Sequence, residues 1–334
     1  MEGQKKIEVL VLSLSDILRL CISFEEVNKV VREALVEHGK KSVILPPKFG
    51  IHPKKVKGAH CNAMPAYIPK LEVLGIKWVT GFPENHKKNL PYILGTLIIN
   101  DDETGAPLAI MEASWITAMR TGTVSGLVAQ SCAKEDAKIL GMVGAGVQGR
   151  FSLKAIVHAV PRLKQVRVFD IAKGAIEKFM KEMGNELNLE IVAADSPKDA
   201  LLESDIMVTA TSFVDKPYVK KEWIREGDLG ILVHHRGWEN EAFFAVDKLV
   251  VDDWAQTKSY GMEDDGFYGD LPECYAELGE ILAGLKPGRE KKEEKIIAIT
   301  CGLGILDIAM GKLINEKATK SGIGTFLPFL DGKI

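Results

Sequence analysis

The sequence has few cysteines, few aromatic residues and no long apolar run. None of its five cysteines belongs to a C-x-x-C pair, and they are widely scattered: Cys21, Cys61, Cys132, Cys274 and Cys301. An odd, unpatterned set predicts reduced thiols, no metal site and a cytoplasmic protein. No apolar stretch approaches the roughly 20 residues that a membrane helix needs, so we expect no membrane partner. The N-terminal segment lacks the long apolar core and cleavage site of a signal peptide.

The sequence also lacks a charge excess of either sign. Lysine and arginine number 43 against 46 aspartates and glutamates, for a formal net charge of −3. This balance gives no electrostatic reason to expect nucleic acid or an anionic membrane as a partner. With 334 residues, 46% apolar and 27% charged, the chain is long enough for about two globular domains. It contains no internal repeat and no low-complexity tract.

The most informative stretch is the glycine-rich segment that follows the apolar run at 139–143. Residues 144–149, GAGVQG, fit the G-x-G-x-x-G pattern and are followed by a segment with helical apolar spacing. In a strand–turn–helix unit the first glycine permits the tight turn and the second lets backbone approach a pyrophosphate. The third allows close packing, and the helix N-terminus offers free N–H groups to phosphate. The alternative is a glycine turn in an ordinary βαβ unit.

A carboxylate at the right distance favours the dinucleotide interpretation. Asp170 ends the next apolar strand-like run, 165–169, and lies 26 residues after Gly144. An acidic side chain there binds the ribose hydroxyls of the adenosine and repels a 2′-phosphate, which predicts NAD rather than NADP.

The segments on either side of this motif differ in organisation. Before it, strand-like runs at 9–14, 61–67, 75–81 and 94–100 follow one another with few helices, which indicates an antiparallel or mixed sheet. Ser23 to Glu26 form a capping box that begins a helix ending at Gly39. After the motif, strands alternate with helices, which predicts a doubly wound parallel sheet with ligand at the carboxyl ends of its strands. The polar, acidic stretch 256–270 is typical of a mobile loop or lid. A last helix is expected to run through Leu313.

Motifs distributed along nearly the whole chain resemble those of the ornithine cyclodeaminase/mu-crystallin family, which includes archaeal alanine dehydrogenases and ketimine reductases. The residues that carry the resemblance are Met64-Pro65-Ala66-Tyr67, Gly75-Ile76-Lys77, Phe82-Pro83-Glu84-Asn85, Ile116 to Gly122, Gly144-Ala145-Gly146-Val147-Gln148, Ala210-Thr211-Ser212, Pro287-Gly288-Arg289, Gly302-Leu303 and Asp307.

The resemblance implies an α/β fold in which a Rossmann doubly wound parallel sheet is inserted into a split α+β domain. Residues 1–121 with 302–334 would bind substrate and form a homodimer, and 122–301 would bind NAD. It also implies roles for two basic residues. Lys77 would exchange a proton with the imine or carbonyl of the substrate, and Arg120 would hold its carboxylate. The alternatives are a solvated strand lysine and a structural ion pair between the domains.

The resemblance further indicates which side chains surround these two. The expected substrate-binding residues are Lys48, Asn62, Met64, His235 and Arg236. The expected cofactor-binding residues are Thr121, Gly144, Gly146, Val147, Gln148, Asp170, Thr209, Ala210, Thr211, Cys301 and Gly302. We expect Lys77 and Arg120 to converge beside the nicotinamide ring.

Three positions depart from the family pattern. Lys48 replaces the usual arginine after the double proline. Asn62 stands where cyclodeaminases have a glutamate, and Arg236 aligns with their nitrogen-activating aspartate. The loss of both carboxylates argues against ornithine cyclisation, although reductases of the mu-crystallin type also lack the aspartate.

Histidines and acidic residues near Arg236 are further candidates. His234 and His235 could act as acid or base because histidine titrates near neutrality, but adjacent strand residues point to opposite faces. Packed or capping histidines are the alternative. Glu239 and the acidic run 263–265 could bind a cationic substrate group, or form a solvated surface.

The sequence therefore predicts an NAD-dependent oxidoreductase that acts on the C–N bond of a small amino acid, imino acid or ketimine. Three alternatives remain. One is an ornithine cyclodeaminase that recycles its NAD, and another is a non-catalytic protein that binds a dinucleotide or another ligand. A third is a subunit of a larger amine-oxidising assembly.

Overall fold

The computed structural model describes residues 6–211, 214, 216–233, 236–263 and 270–332. The chain divides into two compact units, Met1–Arg120 with Leu303–Ile334 and Thr121–Gly302. The boundaries expected from the sequence differ from this division by one residue at each crossing, because Thr121 and Gly302 belong to the second unit.

The N-terminal part of the first unit supplies most of a sheet and two helices. Its elements are β1 (Ile7–Leu12), α1 (Leu14–Arg19), α2 (Phe24–Gly39), β2 (Phe49–Ile51), β3 (His60–Ile68), β4 (Val73–Gly81), β5 (Ile93–Asp101), β6 (Pro107–Glu112) and the start of α3 (Ser114–Cys132). The predicted capping box is confirmed: the Ser23 side chain accepts from the backbone N–H of Glu26, whose carboxylate accepts from that of Ser23. Strand β6 was not predicted.

The second unit alternates strands with helices. Its elements after α3 are β7 (Ile139–Val143), α4 (Val147–Ala159), β8 (Gln165–Phe169), α5 (Lys173–Glu186), β9 (Glu190–Ala193), α6 (Pro197–Leu201), β10 (Ile206–Thr209), β11 (Leu229–Leu232), α7 (Asn240–Phe244), β12 (Lys248–Val251), α8 (Trp254–Glu263), β13 (Ala276–Glu277), α9 (Leu278–Leu282) and β14 (Ile296–Ile299). Among the described residues these strands form one sheet in the order β13-β12-β14-β11-β10-β7-β8-β9. All its pairings are parallel, so the doubly wound Rossmann-type sheet is confirmed.

The chain then returns to the first unit through α10 (Gly304–Ser321) and β15 (Thr325–Leu330). Strand β15 pairs antiparallel with β1, and β1 pairs parallel with β6, so the described strands form a mixed sheet ordered β15-β1-β6-β5-β4-β3-β2. Helix α10 runs eight residues beyond the predicted end at Leu313 and stops at Gly322, whose φ of +62° suits glycine. Strand β15 was also missed by the sequence analysis.

One face of the mixed sheet is buried beneath α10. Alternate residues of neighbouring strands point to this face and are buried: Leu10, Leu12, Met64, Ala66, Ile68, Val73, Lys77, Val79, Leu97, Ile99, Ala109 and Met111. Helix α10 packs on β3, β4 and β5, and also against α2. Gly311 permits the close approach, since a Cβ there would lie 2.7 Å from Cδ2 of Leu97. Among these buried residues, Lys77 is the only one with a charged side chain.

The predicted lid at 256–270 is wrong for its first half, which is helix α8. The Asp253 carboxylate accepts from the backbone N–H of Gln256 at 2.6 Å and begins this helix. Gln256 and Thr257 are buried despite being polar, at 2% and 0% exposed. The part of the chain that the structure describes contains no helix with the length and apolar character needed to cross a bilayer.

Candidate functional site

The glycine-rich turn joins β7 to α4, as the motif predicts. Gly144 has a φ of +110°, and a Cβ there would lie 2.5 Å from the carbonyl oxygen of Ala210. A Cβ on Gly149 would lie 2.1 Å from the carbonyl oxygen of Gly144, so this glycine lets the helix begin against the turn. Both positions therefore require glycine for steric reasons.

The middle of the turn leaves room for a ligand. Gly146 precedes α4 as its N-cap, no side chain caps the helix, and a Cβ there would meet nothing within 4 Å. Val147 is 58% exposed, and the side-chain oxygen of Gln148 is buried with no hydrogen-bond partner among the described residues. Open backbone N–H groups beside free space are what a pyrophosphate needs, so the residues present fit a dinucleotide.

Sheet topology places this turn where a ligand is expected. The chain leads from β7 outward to β9 and then crosses to β10, on the other side of β7. The strand order therefore reverses between β7 and β10, and ligands of doubly wound sheets bind in the crevice at that point. Ala210 and Thr211 follow β10, and their backbone adjoins Gly144.

Asp170 lies at the end of β8, and its carboxylate is bound to the surrounding backbone. One oxygen accepts from the N–H of Ala145 at 2.8 Å and the other from that of Ala172 at 2.9 Å. The side chain thus fastens the glycine turn to the start of α5. Each oxygen keeps a second lone pair, and the charge stays beside the turn.

Other predicted cofactor residues occupy the carboxyl ends of the strands or α3. Thr209 is fully buried, and its hydroxyl accepts from the indole N–H of Trp238 at 3.0 Å, so this side chain belongs to the core. Gly302 has a φ of +82°; its N–H donates to Asp252 at 2.6 Å and its carbonyl accepts from Gln256 at 3.1 Å. Cys301 is half-buried, and Thr121 is buried in α3.

In the first unit, Lys77 is fully buried on β4. This excludes the solvated strand lysine considered from the sequence. Its Nζ lies 2.7 Å from Oδ1 of Asp307 on α10 and donates to the Thr117 hydroxyl at 3.3 Å. That hydroxyl donates in turn to the carbonyl of Ala113 at 2.7 Å, so it faces Lys77 as an acceptor.

Arg120 shares the same carboxylate oxygen. Its Nε donates to Oδ1 of Asp307 at 3.2 Å, and its side chain is 7% exposed. Lys77, Arg120 and Asp307, with Thr117, form a buried cluster. Its ion pair joins residues of one unit, rather than the two domains as the sequence analysis allowed.

The electrostatic setting of Lys77 is unusual for a lysine. Burial lowers its pKa most strongly, and the nearby positive charges of Arg120 and Lys48 lower it further. The Asp307 carboxylate raises it, and the net result is a pKa of about 7. Lys77 can therefore give up and take back a proton near neutral pH, which an ordinary lysine cannot do.

The remaining predicted substrate residues divide between the two units. Met64 lies directly opposite Lys77 in the β3–β4 register, and Asn62 is two residues earlier on the same face. Half-buried Lys48 precedes β2. Arg236 belongs to the second unit, where it is half-buried after β11.

Several candidates fall outside the described residues. These are Ser212, His234, His235, Asp264 and Asp265, and for residue 263 only the backbone is described. Glu239 is half-buried and immediately precedes α7.

Asp307 and Thr117 contact Lys77 but are not predicted as site residues from the sequence. Asp307 had been noted only as part of the family pattern, and Thr117 stood in the I-T-A-M-R segment. The signal that could have found them is spacing: Thr117 precedes Arg120 by three residues, which places both on one side of a helix. No local pattern links Asp307 to Lys77, 230 residues earlier.

Comparison with known proteins shows full-length similarity. A solved structure of Thermococcus litoralis Δ1-pyrroline-2-carboxylate reductase, in complex with NADH and L-proline, is 37% identical. It matches with a TM-score of 0.84 over 95% of this chain and 99% of that one. An archaeal alanine dehydrogenase dimer with bound NAD has a TM-score of 0.84 at 29% identity, over 97% of this chain and 100% of that one.

A curated relative gives the same result from sequence. The alanine dehydrogenase of Archaeoglobus fulgidus is 32% identical over 333 residues, covering 96% of this chain and 99% of that protein. Residues 8–322 match the ornithine cyclodeaminase/mu-crystallin family. The chain belongs to the ornithine cyclodeaminase/mu-crystallin family.

Proposed function

We propose that this protein is an NAD-dependent oxidoreductase that acts on the C–N bond of a small amino acid, imino acid or ketimine. The observation that carries the proposal is the buried lysine of the first unit, which has a pKa of about 7 and lies beside a buried arginine. An acid that titrates near neutrality next to a carboxylate-binding group suits the reduction of a 2-imino acid. The full-length relatives named above support the same class of reaction.

Lys77 and Arg120 take the two catalytic roles in this proposal. Arg120 binds the substrate carboxylate through its terminal guanidinium nitrogens, because its Nε is already bound to Asp307. Lys77 donates a proton from Nζ to the nitrogen of the C=N bond in reduction and accepts it in oxidation. Lys48, Asn62 and Met64 are proposed to line the substrate site around them.

NAD would be held by the glycine turn of the second unit. Gly144, Gly146 and the N-terminus of α4 are proposed to hold the pyrophosphate, and Asp170 the adenosine ribose. When bound, the cofactor supplies or accepts the hydride of the reaction. The proposed binding surface is completed by Thr121, Val147, Gln148, Ala210, Thr211, Cys301 and Gly302. Thr209 is not part of it, because its fully buried side chain belongs to the core.

Among imino acids, a cyclic imine is the first substrate to test. The Thermococcus litoralis relative reduces one by name, at 37% identity. Alanine dehydrogenase is the second candidate, because a relative of that name is 32% identical. Ornithine cyclisation is disfavoured by Asn62 and Arg236, which replace the carboxylates that this reaction uses in the family.

The test is NADH oxidation by the purified protein with three substrate sets. Δ1-pyrroline-2-carboxylate should be reduced to proline, whereas pyruvate with ammonia should support turnover only in an alanine dehydrogenase. Ornithine with catalytic NAD+ should give neither proline nor ammonia. Lys77→Met should abolish turnover while NADH binding persists. If no imine or 2-oxo acid is reduced and Lys77→Met alters only ligand affinity, the protein is a non-catalytic binder and the proposal is wrong.

We also propose that the protein forms a homodimer in the cytoplasm. The face of the mixed sheet opposite α10 carries a row of half-buried apolar residues in register, Val11, Ile110, Ile98 and Ile76, with Trp78 and Leu94 at 39% and 37% exposed beside it. An apolar sheet face of this kind suits a second copy. The scattered cysteines, none of them in a disulfide, suit a reducing compartment.

Light scattering after gel filtration tests the dimer. Ile98→Arg places a charge in the middle of the row and should give a monomer, whereas Lys87→Glu, on the exposed turn between β4 and β5, should not change the mass. A dimer that survives Ile98→Arg would show that another surface forms it.

A further inference from the structure

Asp307 holds both basic residues of the proposed reaction with one oxygen. Its Oδ1 lies 2.7 Å from Nζ of Lys77 and 3.2 Å from Nε of Arg120. The side chain is fully buried, and its other oxygen, Oδ2, has no hydrogen-bond partner among the described residues. A buried carboxylate oxygen without a donor is costly.

The fold places Asp307 above Lys77. Helix α10 begins directly on β3, because a Cβ on Gly304 would lie only 2.8 Å from the carbonyl oxygen of Met64. Met64 is the residue opposite Lys77 in the sheet register. Asp307 is one turn into the helix and therefore comes to lie against the lysine.

The contacts of Lys77 occupy two of the three N–H donors on its Nζ. An ammonium group has three N–H donors. In the described structure one is directed to Asp307 and one to Thr117, whose hydroxyl is fixed by its own bond to Ala113. The direction of the third N–H is therefore determined by the first two.

We propose that Asp307 is a positioning residue that acts through Lys77 and Arg120, aiming the free N–H of the lysine and the terminal nitrogens of the arginine, and keeping a proton on the lysine. This inference depends on the proposed function only for the identity of the substrate. The charge relation between Asp307 and Lys77 does not depend on it.

The balance of charges around Lys77 gives the direction of the effect. The charged groups that act on it are Asp307 from α10, Arg120 from α3 and Lys48 from the segment before β2. Asp307 raises the pKa of Lys77, and the two cations lower it. An amide in place of the carboxylate therefore makes the buried lysine lose its proton at a lower pH.

The first experiment compares Asp307→Asn with Asp307→Glu in imine reduction across pH 5.5–9. If protonated Lys77 is required, kcat/KM falls as pH rises through its pKa. In Asp307→Asn this alkaline limb should move down by about one unit or more, which is a loss of about tenfold at pH 8 that is largely recovered at pH 6. Asp307→Glu keeps the charge, so its limb should stay in place while kcat falls because the geometry changes. Glu316→Gln, an exposed carboxylate of the same helix, is the matched control.

The second experiment needs no substrate. The protein is labelled with 13Cε-lysine, and Lys77 is assigned by loss of its signal in Lys77→Met. Its titration midpoint should lie near 7 in the wild-type protein and lower in Asp307→Asn. An unchanged midpoint and an unmoved pH limb would overturn the inference, as would wild-type kcat in Asp307→Glu. A lowered midpoint in a protein that reduces no imine would leave the charge relation between Asp307 and Lys77 standing and the proposed function wrong.

Discussion

Replacing Lys77 by methionine should remove a pH dependence of stability that the buried lysine imposes. In the folded chain its pKa is about 7, whereas an unperturbed lysine titrates near 10.4. Between these values the unfolded chain carries a proton on Lys77 that the folded chain has lost. Because the unfolded state binds more protons, the free energy of unfolding of the wild type rises with pH across this window.

The size of the effect follows from the two pKa values. Between pH 6.5 and pH 9 they imply an increase of about 2 to 3 kcal/mol in the free energy of unfolding. Lys77→Met lacks this increase. At any single pH, the difference in unfolding free energy between the two proteins also includes the loss of the Lys77–Asp307 contact. Arg120 still contacts Asp307 in the variant. The change of that difference with pH is therefore the quantity to measure.

Urea denaturation followed by circular dichroism at pH 6.5, 7.5 and 9 makes the measurement. Lys87→Met removes a lysine that is 60% exposed and should give a curve parallel to the wild type. The difference between wild type and Lys77→Met should shift by about 2 to 3 kcal/mol in favour of the wild type as pH rises. A difference that stays constant to within about 0.5 kcal/mol, near the precision of such extrapolations, would refute the reasoning. Lys77 would then keep its proton when buried, and a proton donor active near neutrality would have to be sought elsewhere.

Three further predictions concern the glycine turn of the second unit and the carboxylate beside it. Asp170→Ser removes the charge beside the glycine turn and should raise the NADPH-to-NADH ratio of kcat/KM by about tenfold or more. An unchanged ratio would mean that Asp170 does not discriminate between NADH and NADPH. Gly149→Ala should destabilise the protein by about 2 kcal/mol, because its Cβ would lie 2.1 Å from a carbonyl oxygen. Gly146→Ala has open space and should keep the wild-type melting temperature, yet bind NADH about tenfold more weakly by fluorescence titration. Equal affinity in Gly146→Ala would mean that no pyrophosphate approaches this backbone.

Local signals were enough to predict much of the second unit. Strands β7 and β8 have the bounds expected from the apolar runs at 139–143 and 165–169, and the glycine turn joins a strand to a helix as its motif requires. These features depend on residues close in sequence: a turn that only glycine can adopt, or a short apolar run between polar segments. The same holds for the capping box at Ser23, where donor and acceptor are three residues apart.

Features that depend on distant contacts were missed. The sequence signal for strand β15 is weak because its residues are mostly exposed. The segment forms a strand because it pairs with the edge of β1. Helix α8 was taken for a loop because Gln256 and Thr257 are polar, although both are buried. The pairing of Lys77 with Asp307 is the clearest case, since it arises only when α10 packs on the sheet.

This pairing gives a physical reason why the first unit draws on both ends of the chain. The other buried residues on the sheet face that carries Lys77 are apolar, and an unpaired ammonium there would be expensive to bury. Helix α10 covers that apolar face and supplies the compensating carboxylate in the same contact. Arg120, the last residue of the unit before the chain enters the second one, binds the same oxygen. The segments before and after the second unit therefore meet at a single carboxylate, so the proposed proton donor acquires its environment only once the C-terminal segment has folded onto the sheet.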